Sequence, residues 1–570
     1  MMLNQNKILK QLNIGIYEGG AIAIIVVATL LRLLIIGHNW PVTDSDESTM
    51  GLMALHILHR GEHPTFFYGQ NYMGSLEAFL GAGLFHLFGP SLFTLRLGLV
   101  ILFALFLISI YLLASLLYSK KLALAVLILL SLGSEGMLRQ ELLAIGGYPD
   151  TLFFGTLVLL IASWLALSSN RDTLQRDRRW RCVVFGCWGL AAGLGLWSDL
   201  LIAPIVLAAG LLLVLGCWRE WRTWAFPCLL LGLVVGAFPL LIYNVTAQPG
   251  QDSLSVFLRI HDVDKPMHLP VMNQAKGAFL ISLPTITGVY PSCPVITGQE
   301  IGFAGPNPFR CFVEYAGWGI GFTVLWMIAT ILAMAALWKL RPRAAARQGS
   351  YEKRQMAILQ FARLMLLASA GLTMFFYAVS PNAASYPQKN DRYLIGLLIV
   401  IPAVISPLWG SKLTTVIATR IIAAAKGMLL ILMMLVLLAG TNHVFQELPI
   451  TQVEVRQQEA LIHDLLHIDA TRIYSDYWTC DRITFQSNEQ IICAVIDAQG
   501  QFVDNRYMPY VVAVQADPHA AYVLPADSPQ AADFAGKAAL KDRRRYQHFT
   551  FDGYEIYLPR ASSPARNKSV

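Results

Sequence analysis

Residues 17–50 read YEGGAIAIIVVATLLRLLIIGHNWPVTDSDESTM, an apolar run over 17–37 followed by three carboxylates, Asp44, Asp46 and Glu47, within four residues. Crossing ~30 Å of hydrocarbon takes roughly 17 to 25 apolar residues, and the run meets that length. No small-residue cleavage site follows it, so it reads as a retained first span rather than a signal peptide. The whole chain carries the same signature: 55% of its 570 residues are hydrophobic and only 14% charged, where a soluble domain carries about 25% charged residues. The fold class expected is an α-helical polytopic membrane protein.

Ten further stretches have the length and hydropathy of spans, at 92–118, 121–140, 150–167, 183–198, 200–217, 224–243, 313–338, 357–379, 393–409 and 421–441. Ser131, Gly133, Glu135 and Arg139 interrupt 121–140, and 183–198 is short, which leaves the count of eleven open by one or two. With the N-terminus inside, the inner connections hold 20 Lys and Arg in 75 residues and the outer ones only 8 in 151. That is the bias expected of cytoplasmic loops. It predicts a multi-pass protein of the plasma (inner) membrane, N-terminus cytoplasmic and C-terminus outside. The net charge of +7 is accounted for by those loops. The bilayer is the partner it implies, and nucleic acid is not.

Hydropathy collapses after Gly440. Segments beginning at Thr471, Pro509, Ala521 and Phe549 are rich in β-branched and aromatic residues, and 453–468 has helical spacing. The expected division is a transmembrane domain, 1–441, with outer loops 38–90 and 244–312, then a small extracytoplasmic α/β domain, 442–560. The last ten residues, 561–570, read as a disordered tail. No internal repeat and no CxxC or Cys/His zinc spacing is visible.

Three adjacent carboxylates at a membrane edge need a cation, a donor or water to offset their repulsion. Equally, Asp44 or Ser45 suits the N-cap of a helix over 47–59. The loop continues through Tyr68, Gln70, Asn71 and Tyr72, whose polar groups suit sugar hydroxyls, although aromatic residues at the interface belt need no such role. The segment 74–88 is too short to cross and suits a helix on the outer leaflet.

An Asp-Glu pair after span one, two surface helices, an entry to span two through Leu87-Phe-Gly and Arg96, many spans and an extracytoplasmic C-terminal domain resemble the GT-C glycosyltransferases. The resemblance is to the branch of protein O-mannosyltransferases and lipid A aminoarabinose transferases. It covers 17–118, returns at Gly146-Gly-Tyr-Pro-Asp150 and Asp391-Arg392-Tyr393-Leu, and is architectural elsewhere. It implies an inverting transfer of sugar from a polyprenyl-phosphate carrier to a glycan, lipid or protein acceptor on the outer face. Asp46 matches the catalytic Asp, Glu47 the acid beside it, and Asp44 is an extra carboxylate.

Such a reaction needs a base on the acceptor hydroxyl and positive charge on the departing phosphate. Arg392, Arg139, Lys265 and His268 are the candidates for the phosphate, and Asp150 lies where related enzymes carry a second acid. Each basic residue has a plainer reading: Arg392 as an interfacial anchor, Arg139 as a partner of Glu135, Lys265 and His268 as a solvated loop. Asp199 reads as a turn or N-cap residue. No cofactor is certain; a divalent metal ion, held by Asp46, Glu47 or Asp150, is the open alternative. Two other functions compete, a transporter or flippase of lipid-linked saccharide and a non-catalytic subunit of cell-envelope glycan assembly. No pseudo-repeat of the kind transporters show is visible.

Four cysteines, Cys182, Cys187, Cys217 and Cys228, fall in spans five to seven or their inner edges. Cys293 and Cys311, and Cys480 and Cys493, are outside and lie 18 and 13 residues apart. Local bridges are the simplest of the three pairings that four cysteines allow; the alternative leaves all four as thiols.

Overall fold

The computed structural model describes residues 15–169, 178–263, 269–289, 293–340, 350–409, 417–541 and 546–560. Lys265, His268 and the tail 561–570 lie outside the described residues. Among those described, eight helices are long and apolar enough to cross a membrane, or ten if each of two bent pairs is one span. Leu200–Gly216 is a shorter apolar helix. The protein is an integral membrane protein, with helices packed around one large apolar core.

Three expected spans are not straight α-helices. The stretch 121–140 breaks into Lys120–Ser131 and Glu135–Leu142, which meet at 86°. A break at membrane depth leaves helix-end carbonyls without partners, a cost that must be met by other groups. Arg32, buried in the first span, meets it: its guanidinium donates to Leu130 O (3.1 Å) and to Ser131 O. Its charge is balanced by Glu141 at 2.9 Å. The stretch 224–243 bends by 69° between Ala225–Gly236 and Phe238–Thr246, where Pro239 opens the second helix. The stretch 393–409 is wound mostly as a 3₁₀ helix, Asn390–Val400, followed by one short α-turn, Ile401–Ile405.

Small residues set the closest helix contact. Helices Arg178–Ser198 and Ala225–Gly236 touch backbone to backbone: a Cβ on Gly189 would lie 2.1 Å from Leu229 O, and one on Gly232 2.1 Å from Gly186 O. The last span and the segment 453–468 form a single 51-residue helix, Ile417–His467, with Pro449 inside it. The drop in hydropathy after Gly440 therefore falls within a helix.

That helix delivers the chain to a five-stranded mixed sheet in the order Ile492–Val495, Arg472–Ser475, Ala521–Pro525, Tyr554–Pro559, Tyr546–Phe551. The first three strands are parallel; the last two form a hairpin whose strand Tyr554–Pro559 pairs antiparallel with Ala521–Pro525. Asp552 and Gly553 both take positive φ, 46° and 83°, the geometry that an Asp-Gly two-residue hairpin turn needs. Leu461, Ile462 and Leu465 of the long helix enter the sheet's core. A second core joins the sheet unit to the bundle: Phe485, Ile492, Tyr510 and Val514 pack on Met50, Met53, Ala54 and Phe85.

Cys293 is bonded to Cys311 and Cys480 to Cys493, with Cα separations of 5.9 and 5.3 Å. Cys182, Cys187, Cys217 and Cys228 are free. Alkylation of the denatured, unreduced protein should therefore modify only Cys182, Cys187, Cys217 and Cys228, with the other four reacting after reduction. Peptide mapping that finds Cys293 or Cys480 labelled before reduction contradicts the pairing.

Candidate active site

The three first-loop carboxylates take three different environments because they open one helix, Ser45–Arg60, where successive side chains point about 100° apart. Asp44 is the N-cap: its Oδ1 accepts from the Glu47 amide at 2.9 Å. Burial pushes its carboxyl up to about 6; Asp46 and Glu47 add to the rise, while the Glu47 amide and Arg392 oppose it. Glu47 turns into the bundle and has no solvent exposure. Arg96 of the second span grips it with both prongs, Nε to Oε1 at 2.7 Å and Nη2 to Oε2 at 2.5 Å, and the Ala144 amide adds a bond at 3.3 Å. Asp46 turns the other way, toward the sheet unit. Tyr477 Oη donates to its Oδ1 at 2.6 Å, and Arg506 Nη2 to the same oxygen at 3.1 Å. Its side chain is 23% exposed, and its Oδ2 accepts no bond from the described residues.

Arg506 is itself tightly set. It donates to Tyr477 Oη from Nε (3.2 Å) and Nη2 (2.7 Å), and its guanidinium lies over the rings of Phe67 and Tyr477. Gly69, at φ 78°, makes room for it: a Cβ there would stand 3.3 Å from Arg506 Nη1. The helix face that carries Ser45 and Thr49 continues the seam. Ser45 Oγ donates to Tyr477 O (2.7 Å) and Thr49 Oγ1 to Asp481 Oδ2 (2.8 Å).

Arg392 and Asp391 open the 3₁₀ helix Asn390–Val400. The Arg392 guanidinium stacks over Tyr393 at 5.4 Å, acts electrostatically on Asp44, and keeps a buried Nε without a partner among the described residues. Tyr72 faces the same region: burial, Tyr393 and Asp199 raise its phenol above the ordinary value, against Arg506 and Arg392. Asp150 is buried and accepts from Ser198 Oγ; its Oδ1 has no partner among the described residues. Facing it is Glu77, also buried, which accepts from the Gly147 amide at 2.9 Å and whose Oε2 has no partner among the described residues. Asp199 caps a short 3₁₀ turn through the Leu201 amide at 2.8 Å.

Other expected contributors are spent elsewhere. Tyr68 donates to Glu62 (2.7 Å) and meets His56 Nδ1 (2.9 Å), inside a network that runs through Tyr507, Tyr510 and Glu489. Gln70 accepts from Tyr72 at 3.4 Å, and Asn71 is half-buried. Arg139 pairs with Glu135 at 3.2 Å and stacks over Trp40. Among the described residues, no metal-like grouping of His, Cys, Asp and Glu includes Asp46, Glu47 or Asp150. Arg506 and Tyr477 escaped the sequence reading because no local pattern links them to Asp46, from which they stand 460 and 431 residues away.

No protein-family model matches the chain, and no curated protein matches it. Solved structures do. ArnT from Cupriavidus metallidurans in the apo state aligns over 95% of this chain and 98% of its own, at 12% identity and a TM-score of 0.47. The same protein bound to undecaprenyl phosphate gives 11%, 95%, 98% and 0.44 for identity, the two coverages and the TM-score. The archaeal oligosaccharyltransferase AglB from Archaeoglobus fulgidus, in complex with an inhibitory peptide and a dolichol-phosphate, aligns over 96% of this chain and 75% of its own at 12% identity and 0.43. The likeness is one of fold.

Removing one partner of a buried ion pair strands the other. Arg96→Ala should cost about 3–5 kcal/mol, read as a lowered unfolding midpoint of the purified protein, with Arg96→Lys intermediate. A wild-type midpoint in Arg96→Ala would mean that Glu47 is not held as described. The Asp44 carboxyl, at about 6 when folded, lies above the value of about 3.9 in an unfolded chain. Ionisation therefore disfavours the folded state as pH rises between those values. Asp44→Asn keeps the cap acceptor, so it should come close to wild type near pH 4 and exceed it by up to about 3 kcal/mol above pH ~6. A stability difference independent of pH would refute the raised carboxyl.

Proposed function

We propose that this protein is an inverting glycosyltransferase that moves a sugar from a polyprenyl-phosphate carrier to an acceptor hydroxyl on the outer face of the membrane. The observation that carries the reading is the asymmetric setting of Asp46: one carboxylate oxygen is fixed by Tyr477 and Arg506, and the other is left open at a partly exposed position. A base must be aimed, and it must keep one lone pair for the proton it takes. The Lys and Arg bias of the connections supports placing this end of the bundle outside.

In this reading Asp46 Oδ2 takes the proton of the acceptor hydroxyl as its oxygen attacks the anomeric carbon. The bond from that carbon to the phosphate oxygen breaks on the opposite face, and the phosphate leaves on its lipid with the bonding electrons. Arg392, with an unspent Nε beside the acidic loop, meets the charge that grows on the phosphate. Tyr72, which faces the Arg392 region, lies on the sugar's side. Glu47 does no chemistry; held by Arg96, it fixes the direction of the helix turn that carries Asp46. The acceptor is a glycan, lipid or protein, and the donor the carrier-linked sugar.

Surface glycans and glycolipids from a deletion strain, complemented with each variant and analysed by mass spectrometry, test the assignment. Wild type should restore a saccharide-bearing product. Asp46→Asn, present in the membrane at wild-type level, should lower it by at least about a hundredfold, the usual range for loss of a general base. Arg392→Ala should impair use of the lipid donor more than Arg392→Lys, which keeps the charge but not the fork of donors. Product restored in full by Asp46→Asn ends the proposal.

A further inference from the structure

A second cluster lies away from the Asp46 carboxylate. Glu135 opens the short helix Glu135–Leu142 beyond the break in the third apolar stretch, and His443 and Glu447 sit one turn apart on one face of the long helix Ile417–His467. One ligand atom from each of the three lies within 4.8 Å of the other two, and among the described residues this is the group with metal-ligand spacing. We propose that Glu135, His443 and Glu447 form a divalent metal site, of zinc type, that staples the long helix to the broken third span.

The geometry is nearly made. With bonds of ~2.1 Å, the ligand atoms of a tetrahedral zinc stand about 3.4 Å apart. His443 Nδ1 and Glu447 Oε1 already stand 3.4 Å apart. The third ligand has to swing inward only a little, and what holds it is the half-exposed Arg139 contact at 3.2 Å, a weak restraint. Glu447 is oriented as metal-bound carboxylates are: its other oxygen, Oε2, accepts from Trp40 Nε1 at 2.9 Å. The position is also stiff. Thr441, two residues before His443, accepts from the Gly133 amide (3.0 Å) and donates to Gly133 O (3.2 Å), two residues before Glu135. A Cβ on Gly440 would lie 2.8 Å from Ser134 Cα, so helix and break are in backbone contact where the ligands meet.

One imidazole and two carboxylates favour zinc or a similar borderline cation over magnesium, which prefers an all-oxygen, largely hydrated shell. Three protein ligands leave a fourth position for water. Its consequence is mechanical: the helix held there is the one that enters the core of the sheet unit, which supplies Tyr477 and Arg506.

The test uses the full chain, purified in detergent, stripped with a chelator and titrated with zinc chloride. Wild type should bind one zinc per chain and show a zinc-dependent rise in its unfolding midpoint. His443→Ala and Glu135→Gln should each lose both, and Trp40→Phe should weaken binding by about tenfold. Cobalt(II) should give the visible absorption of a tetrahedral nitrogen–oxygen site in wild type and not in His443→Ala. Glu135→Gln, at a partly exposed carboxylate, keeps the test decisive if His443→Ala does not fold. Zinc bound with wild-type affinity by both variants, or no stoichiometric zinc in wild type, overturns the proposal, and neither outcome bears on Asp46.

Discussion

Glu47 is a carboxylate with no access to water, and Arg96 is the group that makes its burial tolerable. The pair acts as a rivet between the first turn of Ser45–Arg60 and the second span. A helix gripped at one residue has its rotation fixed, and the neighbouring side chains are then fixed in direction too. With Glu47 facing the bundle, Asp44 is left at the cap and Asp46 faces the sheet unit. The division of labour among three adjacent acids follows from a single bidentate contact and the 100° step of the helix.

The same helix is the shared wall of two cores. Its bundle side packs through Ala54, against which Gly81 lies close, and its other side meets Phe485 so closely that a Cβ on Gly51 would stand 2.5 Å from that ring. At its far end His56 is enclosed by Tyr68, Tyr507, Tyr510 and Glu489, and Arg60 is paired with Glu489. Polar contacts thus run along one face of the helix, from Ser45 through Thr49 to His56. Each is between residues more than 400 positions apart, except those to Tyr68. The sheet unit is therefore part of the candidate site rather than an appendage to it.

Two other buried arginines repeat the device at helix ends. Arg32 covers the carbonyls exposed by the break after Ser131 and is neutralised by Glu141. Arg181 covers Leu165 O at the end of Tyr148–Leu167 and is neutralised by Glu220 through two bonds of 2.6 and 2.7 Å. An arginine carries enough donors to serve a carboxylate and a frayed helix end at once, which lysine does not. Broken and shortened helices become tolerable in a membrane on those terms.

By itself the sequence determined the membrane class, the positions of the apolar stretches, the crowding of carboxylates in the first loop and most of the β-rich C-terminal segment, although the stretch beginning at Pro509, expected among the β-rich ones, is the helix Met508–Gln515. These are properties of composition and period, and they survive in one dimension because hydrocarbon thickness sets a length and burial sets a pattern. The weakness of 121–140 was visible in Ser131, Gly133 and Glu135, yet its 86° bend depends on Arg32, a residue 99 positions before Ser131. That the last span and the link to the sheet are one helix was hidden by the change in hydropathy, since a helix leaving a bilayer keeps its hydrogen bonds while its side chains turn polar. Of Asp44, Asp46 and Glu47, the family resemblance singled out Asp46, but nothing in one dimension gave any of the three a partner. Only the tertiary structure did, because what sets a carboxylate's environment is the group it meets, and Arg96, Tyr477 and Arg506 are brought to Glu47 and Asp46 by folding.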